Sequence, residues 1–196
     1  MSDKRVQIIR AAGIVLHARG YAGTTLALVA AEAGLPLGNL YYYFKSKEDL
    51  AAAVVDARVR ELDAIFAYAE AAGTSPLRRL ECFVAAWHDG ADELVVHGCP
   101  YGALTHDLAR RGDALSNKSH ALFASQLEWL ARQWRALGAG PATAEERAAE
   151  LVCAIQGACL LGLALHDPEV LRRRLREISR RLADGIVTSN STEVLT

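Results

Sequence analysis

Residues 20–50 read GYAGTTLALVAAEAGLPLGNLYYYFKSKEDL, and this stretch decides the fold. Apolar residues recur at helical spacing on either side of Gly34: Leu26, Val29, Ala30 and Ala33 before it, Leu40 and Phe44 after it. Two short helices joined by such a turn form a helix-turn-helix, whose second helix enters the DNA major groove. Ala30 and Ala33 are small enough for the two helices to cross closely. Thr24 or Thr25 can cap the first helix, its hydroxyl accepting an otherwise unpaired backbone N–H. Pro36 opens the second, where a missing N–H removes no hydrogen bond. Gly38 inside so short a helix costs ~1 kcal/mol relative to alanine. That cost is explained if bulk there would obstruct a neighbouring helix or a DNA backbone.

The helical pattern extends to both sides. Upstream, a helix is expected from Lys4 to Arg19 with Ile8, Ile9, Ala12, Val15 and Leu16 inward, ended by Gly20. Downstream, Ser46 can cap a long helix reaching Ala72, whose first-turn Glu48 and Asp49 suit the positive end of the helix dipole. Further helices are expected over 76–96, 100–111, 113–137, 143–165 and 168–186, punctuated by glycine and proline. With 52% hydrophobic and 23% charged residues over 196 positions and weak strand signals throughout, the chain is expected to be all-α. A three-helix head (1–47) precedes a larger helical body (48–187) and a polar, flexible tail (188–196).

Charge is unevenly divided. Through Lys47, six basic residues stand against Asp3 and Glu32, a balance of +4, which leaves −5 for the rest of a chain with net charge −1. A basic end on an acidic body is the distribution expected when one end meets a polyanion.

The head strongly resembles the TetR family of repressors. The resemblance is carried by Thr24-Thr25, Ala30 with Ala33-Gly34, Gly38 followed by Leu40-Tyr41, and Tyr43-Phe44 followed by Ser46-Lys47-Glu48-Asp49-Leu50. It implies a helix-turn-helix DNA-binding head, an all-helical effector domain, and homodimerisation through the last two long helices. Carried onto this chain, it implies DNA-side roles for Thr25, Leu37, Gly38, Asn39, Tyr42, Tyr43 and Lys47. The chemistry agrees: a threonine hydroxyl and helix-end N–H groups hold phosphate, and an asparagine pairs with an adenine edge. Tyr41 is expected to pack the head instead. Pro36 departs from the family's usual serine cap. Leu37 stands where polar or basic readers are common, and is suited to thymine methyl groups.

In the body, GCPYGALTHDLARRG from Gly98 resembles a Gly-Cys-x-x-Gly pattern of some TetR effector domains. That resemblance places Cys99, Tyr101 and Leu104 beside a ligand cavity. Phe83, Trp87, Phe123, Gln126 and Trp129 are candidate partners at helical spacing, suited to a small apolar or aromatic effector of unknown identity. The segment from Glu145 to Leu165 carries Ala154, Gly157, Ala158 and Leu161, and its small residues allow close helix approach. Leu175, Ile178 and Leu182 continue an apolar stripe through Ile186 on the last helix, with arginines as a solvated rim. These residues are the expected dimer interface.

Other classes are poorly served. Cys82, Cys99, Cys153 and Cys159 lack zinc-site spacing. The alternative to an organic effector is metal or thiol-redox sensing by His88, His97, Cys99, His106 and Asp107. Cys99 with His106 lacks a third member or oxyanion site, so no catalytic residue, metal ligand set or cofactor is expected and the protein is not read as an enzyme. The N-terminus lacks a signal peptide's apolar core. The most apolar run, Leu151–Leu165, falls short of the ~20 residues that span a bilayer and reads as a buried helix. A cytoplasmic protein with no membrane partner is expected, binding double-stranded operator DNA as a homodimer.

Overall fold

The structure is a computed structural model that describes residues 3–192, with side chains described through residue 184. Every regular element among them is a helix: α1 (Asp3–Gly23), α2 (Leu26–Glu32), α3 (Leu37–Tyr43), α4 (Lys47–Ala72), α5 (Pro76–Asp89), α6 (Ala91–His97), α7 (Pro100–Ala109), α8 (Ala114–Ser119), α9 (Ala121–Ala136), α10 (Pro141–Leu165) and α11 (Pro168–Thr192). The all-α expectation is met.

Two expected helices are each divided. The one expected over 76–96 breaks at Gly90, which caps α5 and starts α6. The one expected over 113–137 breaks at His120. Asp113 caps its first part, accepting from the N–H groups of Leu115 and Ser116 at 3.0 Å each. Conversely, α11 runs six residues past its expected end at 186. Residues 193–196 of the expected tail, and the side chain of Ile186, lie outside the described residues.

The chain forms two compact units: residues up to Leu62 with Pro100–Ala124, and Asp63–Cys99 with Ser125 onward. In the first, α1 packs on α2 and α7, α2 on α3, and α7 on α8. Ile8, Ile9, Ala12, Val15 and Leu16 are buried along α1 as the spacing demands. Val29, Ala30, Ala33, Leu40 and Phe44 close the helix-turn-helix core. Gln7 donates its Nε2 to the Ala33 carbonyl at 2.7 Å, tying α1 to the end of α2. Gly34 supplies the turn with φ of 63°, a left-handed conformation that favours glycine.

In the second unit α10 and α11 pair, and α11 also packs on α5 and α6. Gly162 makes this possible: a Cβ there would lie 3.0 Å from the Leu171 Cβ and 3.1 Å from the Val95 Cγ1. The α10 expectation needs correction. The helix is 25 residues long, with an 18-residue window of mean hydropathy 1.9, so by length and composition it is able to cross a bilayer. Nor is it a buried helix, for only 39% of that window is covered. Its inner face (Leu151, Ile155, Ala158, Cys159) is core, whereas Ala154, Gly157, Leu160, Leu161 and Leu165 remain exposed along the other.

Candidate functional site

The helix-turn-helix is built by local chemistry. Thr25 is extended (φ −125°, ψ 156°) and its Oγ1 accepts the Leu28 N–H at 3.2 Å, so it is the cap of α2. Thr24 turns inward, donating its hydroxyl to the Gly20 carbonyl at 2.7 Å. Pro36 lies just outside α3 and makes no side-chain cap, in keeping with the loss of the serine. Ser46 caps α4, accepting the Asp49 N–H at 3.0 Å.

Only Leu40 of α3 is fully buried, and it fixes which way the helix faces. At 100° per residue, positions two before and two after a buried residue lie on the opposite side. Gly38 and Tyr42 therefore form the outward edge, with Leu37 and Tyr41 on one flank and Asn39 on the other. Tyr42 is 76% exposed, and a Cβ added at Gly38 would meet nothing within 4 Å. Glycine at 38 thus relieves no crowding inside the protein. Leu37, Asn39 and Thr25 are also exposed, and Tyr43 is half-buried with its ring edge-on to Tyr42 at 5.0 Å. Tyr41 does not pack the head as expected. It is 46% exposed, one step of 100° round the helix from the buried Leu40.

Lys47 is placed differently from the other DNA-side candidates. Its Nζ donates to the Tyr21 carbonyl at 2.9 Å and lies 4.3 Å from the Tyr21 ring centre. Tyr21 itself is the hub of a network that the sequence did not reveal. Its hydroxyl donates to Glu48 Oε1 at 2.7 Å, and the Arg111 guanidinium lies 4.5 Å from its ring centre. Arg111 pairs with Asp113 at 2.6 Å and reaches Glu48 at 3.6 Å. Burial, reinforced by the hydrogen bond to Glu48, pushes the Tyr21 hydroxyl up to about 12. The same bond holds the Glu48 carboxyl below its usual range, with help from Arg111 and Lys47. Tyr21, Lys47 and Glu48 each had a sequence signal of their own, but nothing in the sequence paired them with one another or with Arg111 and Asp113.

The expected effector residues divide between the two units. Tyr101, Leu104 and Phe123 belong to the first; Phe83, Trp87, Cys99, Gln126 and Trp129 belong to the second. Within the second, Phe83 lies 4.6 Å from Trp87 and 5.7 Å from Trp129, centre to centre. Phe66, which the sequence reading missed, stacks on Trp129 at 5.0 Å and 10°. The buried Trp129 indole donates to Glu70 Oε1 at 2.8 Å. Gln126 is buried beside it in sequence, and Cys99 accepts from the Gln156 amide at 3.3 Å.

The metal and thiol alternatives are not favoured. Among the described residues no three His, Cys, Asp or Glu side chains converge to hold a metal. Cys99 hydrogen-bonds Cys159, and that contact with burial drives the Cys159 thiol far above its usual range. A buried thiol held protonated is the unreactive form.

Of the expected dimer residues, Ala154, Gly157 and Leu161 are exposed and Ile178 is half-buried, whereas Ala158, Leu175 and Leu182 are buried within the chain's own core. Leu160 and Leu165, 64% and 61% exposed, join the exposed set. The arginines of α11 do form an ion-paired rim, Arg172 with Asp92 and Glu169, Arg180 and Arg181 with Glu177.

Comparison with known proteins bears on both parts of the chain. The model for the tetR family of bacterial regulatory proteins matches residues 8–54. The model for the C-terminal domain of LmrA/YxaF-like transcriptional regulators matches residues 76–177, over half the chain. An HTH-type transcriptional regulator in the lacX 3' region of Lactococcus lactis subsp. lactis is 28% identical over 178 residues, covering 87% of this chain and 89% of its own. The HTH-type transcriptional regulator YxaF of Bacillus subtilis (strain 168) is 24% identical over 169 residues, covering 84% and 87%. The fold matches that of a TetR transcriptional regulator from Legionella pneumophila with a TM-score of 0.82, at 19% identity over 92% of this chain and 97% of that one.

Proposed function

Because the chain belongs to the TetR family of bacterial transcriptional regulators, a non-enzymatic DNA-binding class, we propose that it is a homodimeric repressor, holding a palindromic operator and releasing it when a small apolar or aromatic effector binds. The observation that carries the DNA face is Gly38. A glycine at the centre of an outward helix face, with open space where a side chain would stand, makes sense if another molecule must come close. Around it Leu37, Asn39, Tyr42 and Tyr43 supply the reading and positioning groups. Thr25 retains a hydroxyl proton to donate to phosphate, and Lys47 adds positive charge beside them.

One short helix offers few base contacts, each good bidentate pair contributing ~1–3 kcal/mol. Two heads on a palindrome double that number. The exposed face of α10 is suited to hold the pair together. Ala154 and Gly157 let helices approach, Leu161 and Ile178 add apolar surface, and Ala158, Leu175 and Leu182 stiffen the face from beneath. Burial of such surface contributes roughly 25 cal/mol per Å². This reading accounts for a half-exposed apolar helix without a bilayer, and its place of work is the cytoplasm.

For the effector, the supporting feature is the aromatic cluster of Phe83, Trp87 and Trp129 with Phe66; Gln126 and Cys99 are buried polar groups of the same unit. The rings touch one another, so an entering molecule must part them and replace their contacts with its own, which favours a flat apolar partner. Release follows if the effector prefers a conformation whose heads are wrongly spaced for the operator.

The test is recovery of bound fragments from the source genome, followed by footprinting. A protected imperfect palindrome with half-sites about one helical turn apart, or a related multiple, is expected. Uniform, sequence-independent protection would overturn the reading.

A further inference from the structure

The helix α3, LGNLYYY, carries no charged side chain. Arginine and lysine make the commonest specific contact in the major groove, a bidentate pair with guanine O6 and N7. This helix has neither, so it lacks the usual means of reading G·C pairs. Its outward surface offers something else: a leucine 39% exposed at position 37, bare backbone at 38, and an exposed amide at 39. Tyr41 and Tyr42 follow one turn later. With no side chain at Gly38, the first turn can lie deep in the groove, and Leu37 and Asn39 flank the point of closest approach.

Resting on the DNA face assigned above, we propose that α3 reads A·T pairs at the centre of its contact in each half-site. Leu37 packs on a thymine C5-methyl group, and Asn39 makes a bidentate pair with adenine N6 and N7. The two tyrosines position the helix through their hydroxyls on the sugar–phosphate backbone. Thymine recognition by a leucine has a property that hydrogen-bond recognition lacks. It depends on one methyl group, which uracil removes while leaving every donor and acceptor in place.

The experiment uses the full chain. A random-sequence duplex pool is selected for binding, and the enriched operator is synthesised with deoxyuridine in place of thymidine, one position at a time. The expected result is an operator with A·T pairs where α3 lies, placed by footprinting. One deoxyuridine position per half-site should weaken wild-type binding about fourfold, the value of one buried methyl. Leu37→Ala should bind the thymidine and deoxyuridine operators equally, and Asn39→Ala should lose about fivefold or more of its preference for adenine at the neighbouring position. Both side chains are exposed, and unchanged thermal melting verifies that the variants fold. An operator with G·C pairs under α3, or equal wild-type affinity for thymidine and deoxyuridine, overturns the inference while leaving the regulator reading intact. Failure to enrich any sequence overturns both.

Discussion

The backbone N–H of Tyr21 donates to the Asp107 carboxylate at 2.8 Å, across 86 residues of sequence. The contact sits on a break in α1. Gly20 (φ 68°, ψ 171°) interrupts the helix, and Tyr21 restarts it with an N–H that Asp107 satisfies. An alanine at 20 would be strained at that φ, and its Cβ would lie 2.7 Å from the Asp107 Oδ2. Gly20→Ala should therefore lower stability by about 1–3 kcal/mol in urea unfolding. In an Asp107→Ala background the clash disappears and the backbone strain stays, so the second penalty should be smaller than the first. Equal penalties would show that Asp107 does not press on this turn.

Titration of the Tyr21–Glu48 pair has a definite sign. The Glu48 carboxyl is held low in the folded chain, so its contribution to stability is present above the ordinary glutamate range and lost as pH falls through the lowered value. The Tyr21 hydroxyl is held high. Its contribution is present below the ordinary value of 10.0 and lost as pH rises towards about 12. Tyr21→Phe should flatten both limbs of the stability–pH curve. In the same variant the Glu48 carboxyl, followed by NMR, should titrate closer to 4.5. An unmoved titration would detach Glu48 from Tyr21.

Gly38→Ala should change two properties in opposite directions. The added methyl meets nothing in the free protein and removes a glycine from a helix, which favours folding by roughly 0.5–1 kcal/mol. On operator DNA the same methyl occupies the closest point of approach, so affinity should fall at least several-fold. A variant both more stable and equally tight on DNA would move the interface off this face.

Tyr42→Ala and Lys47→Ala should separate by their effect on the fold. Tyr42 is mostly solvent-exposed, so its loss should weaken DNA binding and leave thermal stability unchanged. Lys47 is bonded to the Tyr21 carbonyl, so its loss should lower stability as well as the salt dependence of binding. A Lys47→Ala chain that melts like the wild type would mean that the Tyr21 contact contributes nothing.

For association, Gly157→Glu and Leu161→Glu should give monomers by sedimentation with helical content retained. Position 157 has open space in the isolated chain, and Leu161 is 45% exposed, so neither substitution disturbs the chain's own core. At a two-fold contact each would bury an unpaired charge. Dimers in both variants would place the contact elsewhere.

Local features were legible in the sequence because they are encoded locally. The caps at Thr25 and Ser46, the turn at Gly34 and the inward set of α1 follow from spacing and hydroxyl chemistry within a few residues. What escaped the reading depends on distance. Tyr41 was expected inside from its place in the motif, yet it is 46% exposed while Leu40 and Phe44 are buried. The breaks at Gly90 and His120 interrupt runs whose apolar spacing looks continuous. Ala158 and Leu161 share a segment, yet one is buried in the chain's own core and the other is 45% exposed. Periodicity locates a stripe; the neighbours determine which stripe is core.

The exposed face of α10 also ties the protein's abundance to its fate. A window of mean hydropathy 1.9 is as greasy as a segment that enters lipid, and a solitary chain presents much of it to its surroundings. Such a surface is what chaperones, proteases and membrane-insertion machinery recognise in unfinished proteins. On the homodimer proposed above, a freshly made chain has a limited time to meet another, and the time it needs lengthens as copy number falls. A regulator that pairs in the proposed way would set its own lower limit of expression: beneath it, chains would be cleared before they pair, and the control they exert would fade abruptly.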